Sequence, residues 1–443
     1  MTNKIVYLLM LLAGMMTTAC SDDDGMPSGA ITIGQIELTV SGEGDLSGLA
    51  VELRNTAAGS IFTETTDSLG SATFSVTPGI YEATVTGSRS ADGYAYTYNG
   101  TSGLITVMAG ETQRVTVALK SARSSQVIIK EVYNGGCIKD DGTTKFQFDK
   151  GIILYNNSGL TAHLGNLCFG FAAPYNSQSN NKNYGADGRL AYEAEGFLPA
   201  LNGIWYFPDT LEIAPYAQVV VSVFGAIDNT LSVSQSVNYA HSSYYCMYDP
   251  ESGYDNTSYY PTPSSLIPTS HYLRAVRVGL GNAWALSVTS PALFIFQTHD
   301  AAPADYAAMV DHQWYDGGQV SQAGLSVKVP VEWVVDGVEV FAAGYKDSNS
   351  KRLTADVDAG YVSLTNYQGH SLYRNVNRTA TEALPENAGK LVYGYALAAD
   401  GSTDPSGIDA EASIRLGAHI IYQDTNNSSN DFHERQQCSL RDQ

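Results

Sequence analysis

Two histidine–aspartate pairs offer the clearest set of side chains for metal or acid–base chemistry in this chain. His299-Asp300 and Asp311-His312 lie on either side of an alanine-rich run that begins with proline and predicts a short helix over 303–313. A catalytic metal needs three converging ligands and an open coordination position. Neither an HExxH nor an HxH pattern occurs. We therefore expect neither a metal nor another cofactor.

Nucleophilic and carboxylate catalysis lack a sequence signature as well. There is no GxSxG motif before a predicted helix and no glycine-rich phosphate loop after a predicted strand. The 45 acidic residues include many pairs, but no spacing marks two of them as the acid and base of a glycosidase. The stretches 140–142 and 424–427 differ from the calcium-binding loop of EF-hands and indicate turns. We assign no catalytic residue, and a carboxylate- or metal-dependent hydrolase stays an alternative.

Four cysteines lie downstream of residue 20. They are Cys137, Cys168, Cys246 and Cys438. Cysteines of exported proteins are commonly paired in disulfides, and no CxxC indicates a zinc–thiolate site. Successive strands that alternate in direction would bring the first two cysteines to the same end of a sheet. We predict a Cys137–Cys168 disulfide, which leaves Cys246 and Cys438 as the second pair.

The N-terminus carries the features of an export signal. Lys4 precedes an apolar run over 5–16 that is too short to span a bilayer as a helix. The tetrapeptide that ends at Cys20 resembles the lipobox of bacterial lipoproteins, which implies cleavage after Ala19 and a lipid on Cys20. The acidic residues at 21–25 resemble the export tag of Bacteroidetes surface lipoproteins.

These segments together predict an outer-membrane protein that is anchored by lipid and faces the cell exterior. A signal peptide would cover 1–19 and an acidic tether 20–30. Ordinary secretion after cleavage near Ala19 is the alternative. The formal net charge of −21 argues against nucleic-acid binding, because polyanion binding needs a basic face. The expected partners are the outer membrane, through the lipid, and an outer-membrane transporter.

Residues 31–122 show the two-residue alternation of apolar and polar side chains that is typical of half-buried β-strands. Short strands separated by turns predict a β-sandwich. The stretch 67–85 contains the pattern D…G…F…PGxY. It resembles the transthyretin-like, carboxypeptidase-regulatory family of spacer domains. The resemblance implies an immunoglobulin-like or transthyretin-like sandwich without catalytic residues.

Residues 126–443 contain the stretches of a second β-domain. The stretch 127–170 resembles the opening of a lamin-tail domain. Three later stretches match that family's patterns in the same order: D-x-V at 336–338, G-x-S-L-x-R at 369–374 and D-T-x-N-x-x-x-D-F at 424–432. The resemblance implies a second sandwich, which is lamin-tail-like.

Long insertions near 171–204 and 225–325 exceed a minimal lamin-tail sandwich, and variable loops of this kind commonly carry function. Residues 238–261 alternate tyrosines with small polar residues, as adaptable binding surfaces do. The binding candidates are Tyr244, Tyr245, Tyr259 and Tyr260. The alternative is that these rings only cover a sheet.

The whole sequence predicts an all-β protein with two sandwich domains on a lipid tether. It is similar to an uncharacterised family of Bacteroidetes surface lipoproteins with this layout. We expect a non-enzymatic surface protein that binds a ligand or partner as an accessory to outer-membrane nutrient uptake. The transporter link rests on family-level analogy. A structural or adhesive cell-surface protein is the alternative.

Replacing Cys20 with alanine should release the protein from the membrane, because no apolar run in the sequence reaches membrane length. Fractionation of cells that express the wild-type chain or Cys20→Ala measures the release. Ser21→Ala is the matched control and should stay in the membrane fraction. Membrane retention of Cys20→Ala would contradict the prediction.

Overall fold

The computed structural model describes residues 32–441, except for 43, 92, 93, 187, 300, 319, 346 and 347. The predicted signal peptide, Cys20 and the acidic tether lie outside these residues. The described chain consists mainly of strands with a few short helices, which confirms the all-β prediction. Within it, no helix has the length and apolar composition needed to cross a membrane.

The described chain divides into two compact units. One contains the residues up to Gly87 together with Tyr98–Ser121, and the other contains Ser88–Thr97 and the chain from Ala122 onward. Each unit has strands and a core of its own, so we describe them one after the other.

The strands before residue 126 are β1 (Gly34–Ser41), β2 (Ala50–Asn55), β3 (Ile61–Thr65), β4 (Ser71–Val76), β5 (Gly79–Ala91), β6 (Tyr94–Thr101), β7 (Ile105–Val107), β8 (Thr112–Ala118) and β9 (Lys120–Ser125). They form a three-stranded sheet, β4-β1-β8, and a sheet of order β3-β2-β5-β6-β9 in which β7 also pairs with β5. Ile36, Leu38 and Val40 of β1 are buried and alternate with less buried residues, as the sequence pattern predicts.

Turn residues explain the D…G…F…PGxY pattern of the first unit. Asp67 accepts the backbone N–H of Leu69 at 2.8 Å, and Gly70 has a φ of 73° that favours glycine. The Tyr81 hydroxyl donates to the Thr77 carbonyl at 2.7 Å and ties β5 to the turn before it. These residues stabilise the fold.

The second unit contains the remaining strands and all four helices of the described chain, together with most of β9 and the parts of β5 and β6 that fall within Ser88–Thr97. The strands are β10 (Val127–Tyr133), β11 (Cys137–Ile138), β12 (Lys145–Phe146), β13 (Gly151–Asn156), β14 (Ala162–Leu164), β15 (Leu167–Phe171), β16 (Phe197–Leu201), β17 (Gly203–Tyr206), β18 (Leu211–Ile213), β19 (Gln218–Ser222), β20 (Tyr245–Met247), β21 (Tyr272–Arg277), β22 (Ala292–Gln297), β23 (Gln313–Tyr315), β24 (Leu325–Pro330), β25 (Val334–Ala342), β26 (Val362–Leu364), β27 (Ser371–Arg374) and β28 (Phe432–Arg435). The helices are α1 (Pro303–Ala308), α2 (Arg378–Glu382), α3 (Ala410–Arg415) and α4 (Ser428–Asp431).

Twelve of these strands form one continuous hydrogen-bonded path. One half has the order β28-β27-β10-β13-β19, and the other has the order β21-β17-β15-β22-β25-β26. Strand β20 joins the halves, because it pairs in parallel with both β19 and β21. Ile129 and Leu154 from the first half share a core with Phe169 and Ile295 from the second. The two halves are therefore the two layers of a sandwich.

Additional segments cover the outer faces of both layers. The small sheet β16-β24-β23 packs on side chains of β15 and β22, including Cys168 and Phe294. On the other side, residues between 376 and 422 pack on Ile128 and Tyr155. Strands β10, β13 and β15 are consequently buried along their whole length. This explains why their sequences are continuous apolar runs, whereas β1 alternates.

The segments expected as insertions contribute strands to the fold. The 225–325 segment supplies β20, β21, β22 and β23, and the 171–204 segment supplies β16 and the first half of β17. The helix predicted over 303–313 forms as α1 and begins at Pro303, and a 3-10 turn over Val310–His312 follows it.

Candidate functional site

A buried arginine connects the three lamin-tail-like stretches of the second unit. Arg374, the last residue of β27, donates from Nη2 to Asp336 of β25. Its Nη1 lies 3.2 Å from the Asp424 carboxylate and 3.8 Å from that of Asp431. Its Nε donates to the Ile129 carbonyl of β10 at 2.8 Å. The motif residues quoted for the resemblance therefore converge on one guanidinium.

The three carboxylates keep this guanidinium charged and are themselves held in place. Burial lowers the pKa of Arg374, but the negative charges of Asp336, Asp424 and Asp431 outweigh that effect and raise it. Asp336 also accepts the backbone N–H of Ile129 at 2.6 Å. Asp431 accepts the backbone N–H of Thr425 at 2.8 Å, although burial raises its pKa. This cluster is a structural clamp that binds the chain to itself.

A second buried pair holds the loop after β25, whose Leu353 and Val357 pack on the outer face of β15 and β22. The Arg352 guanidinium donates to Glu339 of β25 at 2.7 Å, and both side chains are fully buried. Arg352 also donates to the carbonyl oxygens of Pro174 and Ser290 at 3.1 and 2.8 Å. The Tyr192 hydroxyl donates to the Arg352 carbonyl at 2.6 Å. The cover is fixed to the sandwich by charge as well as by apolar packing.

A third buried pair holds the residues between 376 and 422 that cover the other layer. The Lys130 ammonium of β10 donates to Glu411 of α3 at 2.6 Å and to Gln218 at 2.7 Å. Three tyrosine rings surround it, with centroids 5.4–5.9 Å from Nζ, and they belong to Tyr155, Tyr373 and Tyr422. Aromatic faces stabilise a desolvated cation. This aromatic cage is therefore filled by the chain's own lysine.

Asp149 and Lys150 form another buried polar cluster. Burial raises the pKa of Asp149 to about 6, although Ser236 and Tyr133 donate hydrogen bonds to it. Burial also lowers the pKa of Lys150 to about 7. The Lys150 ammonium donates to the Leu286 carbonyl, and its Nζ lies 5.2 Å from the Phe224 ring centroid. The protein thus contains a lysine whose charge is poorly compensated near neutral pH.

The predicted disulfides are wrong. Cys137, Cys168 and Cys246 carry buried free thiols, which excludes both the Cys137–Cys168 and the Cys246–Cys438 pairing. Cys168 and Cys246 pack in separate apolar clusters, and Cys438 is buried in a third. Alternating strand direction gave the wrong geometry because Cys168 lies on the outer face of β15, under the β16-β24-β23 sheet. Burial raises the pKa of Cys137 and of Cys246 to about 12.

The tyrosines that the sequence offered as binding candidates pack into the second unit. Tyr244 and Tyr260 are buried, and Tyr245 and Tyr259 are half-buried against the main core. The Tyr260 hydroxyl accepts the backbone N–H of Trp284 at 3.0 Å. Tyr245 belongs to β20, the strand that joins the two layers. This arrangement favours the alternative that the rings cover a sheet, and ligand binding by them stays a prediction.

Each histidine of the two histidine–aspartate pairs packs against an aromatic ring. Asp300 lies outside the described residues. The His312 ring stacks on Tyr306 at a centroid distance of 3.9 Å, and the His299 ring lies edge-on to Trp333 at 6.0 Å. In the part of the chain that the structure describes, no group of three His, Cys, Asp or Glu side chains is arranged to hold a metal.

Two open clefts of the second unit meet at Asp356, and we call them together the Asp356 cleft. One has a volume of about 280 Å³ and is lined by Val331, Glu332, Val334, Val335, Asp336, Asp356, Val357 and Asn426. The other has a volume of about 490 Å³ and is lined by Gly185, Arg189, Leu190, Ala191, Glu193, Ala194 and Asp356. The cleft thus combines an expected insertion with two of the lamin-tail-like stretches.

The Asp356 cleft presents carboxylates beside an aliphatic floor. Glu332, Asp356 and Glu193 are exposed. Val334 and Val335 at the start of β25 are half-buried. Such a surface can bind a positively charged or hydrogen-bond-donating group next to an apolar one.

Sequence reasoning missed Asp356, because a single aspartate in a loop gives no signal. It also missed the partners of Lys130 and Glu339, although a signal exists: both are charged residues inside apolar strands. A buried charge must be paired, so each of them predicts an opposite charge elsewhere in the chain. The pattern does not show which residue supplies it.

Residues 214–393 match the model of DUF4876, a protein family of unknown function. The matched segment contains Arg374, Arg352 and the Asp356 side of the cleft. No curated protein matches the sequence.

The DUF4876 match agrees with a likeness to a solved structure. The crystal structure of a DUF4876 family protein from Bacteroides thetaiotaomicron VPI-5482 is 20% identical with a TM-score of 0.51, covering 90% of this chain and 94% of that one. At this identity the likeness shows a shared fold alone.

Two other solved structures are much less similar to this chain. The Bacillus anthracis TIE protein is 14% identical with a TM-score of 0.17, covering 44% of this chain and 46% of that one. The pilus adhesin RrgA from Streptococcus pneumoniae is 19% identical with a TM-score of 0.12, covering 30% of this chain and 21% of that one. Scores this low carry no information about the present fold.

Arg374→Met should destabilise the second unit by about 3–5 kcal/mol, because it leaves three carboxylates around an uncharged side chain. Chemical denaturation measures the loss. Arg378→Met is the matched control, since its ion pair with Glu382 is exposed on α2; its loss should stay within about 1 kcal/mol. Equal losses for the two variants would show that the Arg374 cluster is not the clamp described above.

Lys150 should make the protein more stable as pH rises above neutrality. The folded chain releases the Lys150 proton near pH 7, whereas an unfolded chain keeps it up to the usual pKa of 10.5. The folded state therefore binds fewer protons between these values, and the free energy of unfolding rises with pH. The gain is about 2–3 kcal/mol between about pH 7.5 and about pH 9.5.

The variant Lys150→Met should lose this rise, and Lys328→Met, which removes a partly exposed lysine, should keep it. Denaturation curves of the three proteins across this pH range give the comparison. A rise of the same size in Lys150→Met would show that other groups cause it.

Proposed function

We propose that this chain is a non-enzymatic, surface-exposed lipoprotein that binds a ligand or partner at the Asp356 cleft, as an accessory to outer-membrane nutrient uptake. The observation that carries the proposal is the cleft itself, in which exposed carboxylates adjoin half-buried valines on a scaffold held by buried ion pairs. The export features of the N-terminus support the location, and family-level analogy supports the link to a transporter.

The walls of the cleft are fixed by the clamps described above. Asp336 lies in its floor and is bonded to Arg374. Val357 and Asp356 follow Arg352, which is bonded to Glu339. Rigid walls favour binding because little conformational entropy is lost when the ligand enters.

The charge of the cleft limits the chemistry of its ligand. Three exposed carboxylates line it, from Glu193, Glu332 and Asp356, together with the one guanidinium of Arg189. An anionic ligand would meet net repulsion. We therefore infer a ligand that carries amino or guanidinium groups beside an apolar part, such as a basic peptide.

Calorimetric titration of the soluble Cys20→Ala chain with the peptide Lys-Val-Lys should show binding that Asp356→Asn weakens by about tenfold, which corresponds to about 1.4 kcal/mol. The peptide Glu-Val-Glu should not bind. Asp255→Asn removes an exposed carboxylate outside the cleft and is the matched control. Equal affinity of Asp356→Asn and Asp255→Asn for Lys-Val-Lys, or no binding at all, would overturn the assignment of the cleft.

A further inference from the structure

An apolar patch lies on the outer surface of the first unit. Leu104 and Met108 flank β7, and their side chains are 72% and 61% exposed. Ile80 of β5 is 43% exposed, and Ile33 before β1 is 53% exposed. We call these four residues the β7 patch.

Strand register shows that the patch is continuous. Side chains two residues apart point to the same face of a strand, so Leu104, Thr106 and Met108 share one face, while Ile105 and Val107 point into the core. Ile80 pairs directly with Thr106 and lies between the ends of β7.

The fourth member of the patch lies at the end of β7. The Ile33 carbonyl accepts the Gly110 N–H at 3.1 Å, next to Met108. The described chain therefore enters the first unit at the edge of the patch.

The four residues of the patch are uncharged, and the exposed carboxylates of Glu82 and Glu111 lie at its border. The stretches 102–110 and 77–80 contain no Asp, Glu, Lys or Arg, whereas the whole chain has a formal net charge of −21. Carboxylates would oppose close approach to the apolar part of a bilayer. Threonine and glycine, which these stretches do contain, are compatible with the interfacial region.

The position of the patch relative to Cys20 indicates which surface it contacts. Eleven residues lie between Cys20 and Thr32, so a lipid on Cys20 lies at most about 40 Å from the edge of the patch. We propose that the β7 patch rests on the lipid surface that carries the anchor, with Leu104 and Met108 reaching the headgroup–acyl boundary. This inference uses the lipid anchor of the proposed function and adds an orientation for the first unit.

The test supplies the anchor chemically, so that its outcome does not depend on lipidation in cells. The mature chain from Cys20 is coupled through that thiol to a maleimide phospholipid in phosphatidylcholine vesicles; the other four cysteines are buried. Leu104→Trp and Met108→Trp report depth through quenching by lipids brominated on their acyl chains. Leu69→Trp is the matched control, because this exposed leucine precedes β4 at the end of β1 opposite Ile33. The signal of the four native tryptophans is subtracted.

We expect bromolipid to quench the tryptophans at 104 and 108 at least about twofold more than the one at 69, because interfacial side chains reach about 5–10 Å into the boundary. Equal quenching at all three positions would overturn the proposal. Burial of the patch by a second copy of the chain would also overturn the proposal. That burial would appear as a dimer of the uncoupled protein, and the Leu104→Ser variant would be monomeric. Failure of the anchor itself would appear separately, as membrane retention of Cys20→Ala in cells.

Discussion

The guanidinium of Arg374 lies between the two layers of the second unit, where water cannot solvate it. A charge in that position is tolerated only if opposite charge and hydrogen-bond acceptors surround it. Asp336 supplies them from β25, Asp424 and Asp431 from the chain near α4, and Ile129 from β10. Segments far apart in sequence must therefore meet at one point, and the geometry of the sandwich depends on that meeting.

The same constraint recurs wherever a segment covers an outer face of the sandwich. Covering a face converts its polar residues into buried ones, and each then needs a partner. Lys130 forms an ion pair with Glu411 inside a cage of tyrosine rings, and Glu339 forms an ion pair with Arg352. Burial also moves the pKa values of Asp149 and Lys150 toward neutrality, to about 6 and about 7.

Buried ion pairs contribute little net stability, because desolvation offsets most of their attraction. Their contribution here is position: each pair fixes where a covering segment lies on the sheet. The Asp356 cleft forms between segments fixed in this way, so its carboxylates and valines stand at defined places. In the first unit no comparable cover lies over the described outer face of β7, and its apolar side chains remain exposed.

The sequence by itself determined the all-β class, the strands β1 and β10, and the start of α1, because periodicity, continuous apolar runs and a leading proline are local signals. It also selected Asp336, Arg374, Asp424 and Asp431 through a resemblance, without showing that they touch. Only the tertiary structure decided that β20 joins the two layers, that Cys137 and Cys168 stay apart, and that Asp356 lines a cleft. Those outcomes depend on pairing between strands that are far apart in the sequence. The pattern of apolar residues shows which side chains are buried, but it does not show which distant strand packs against them.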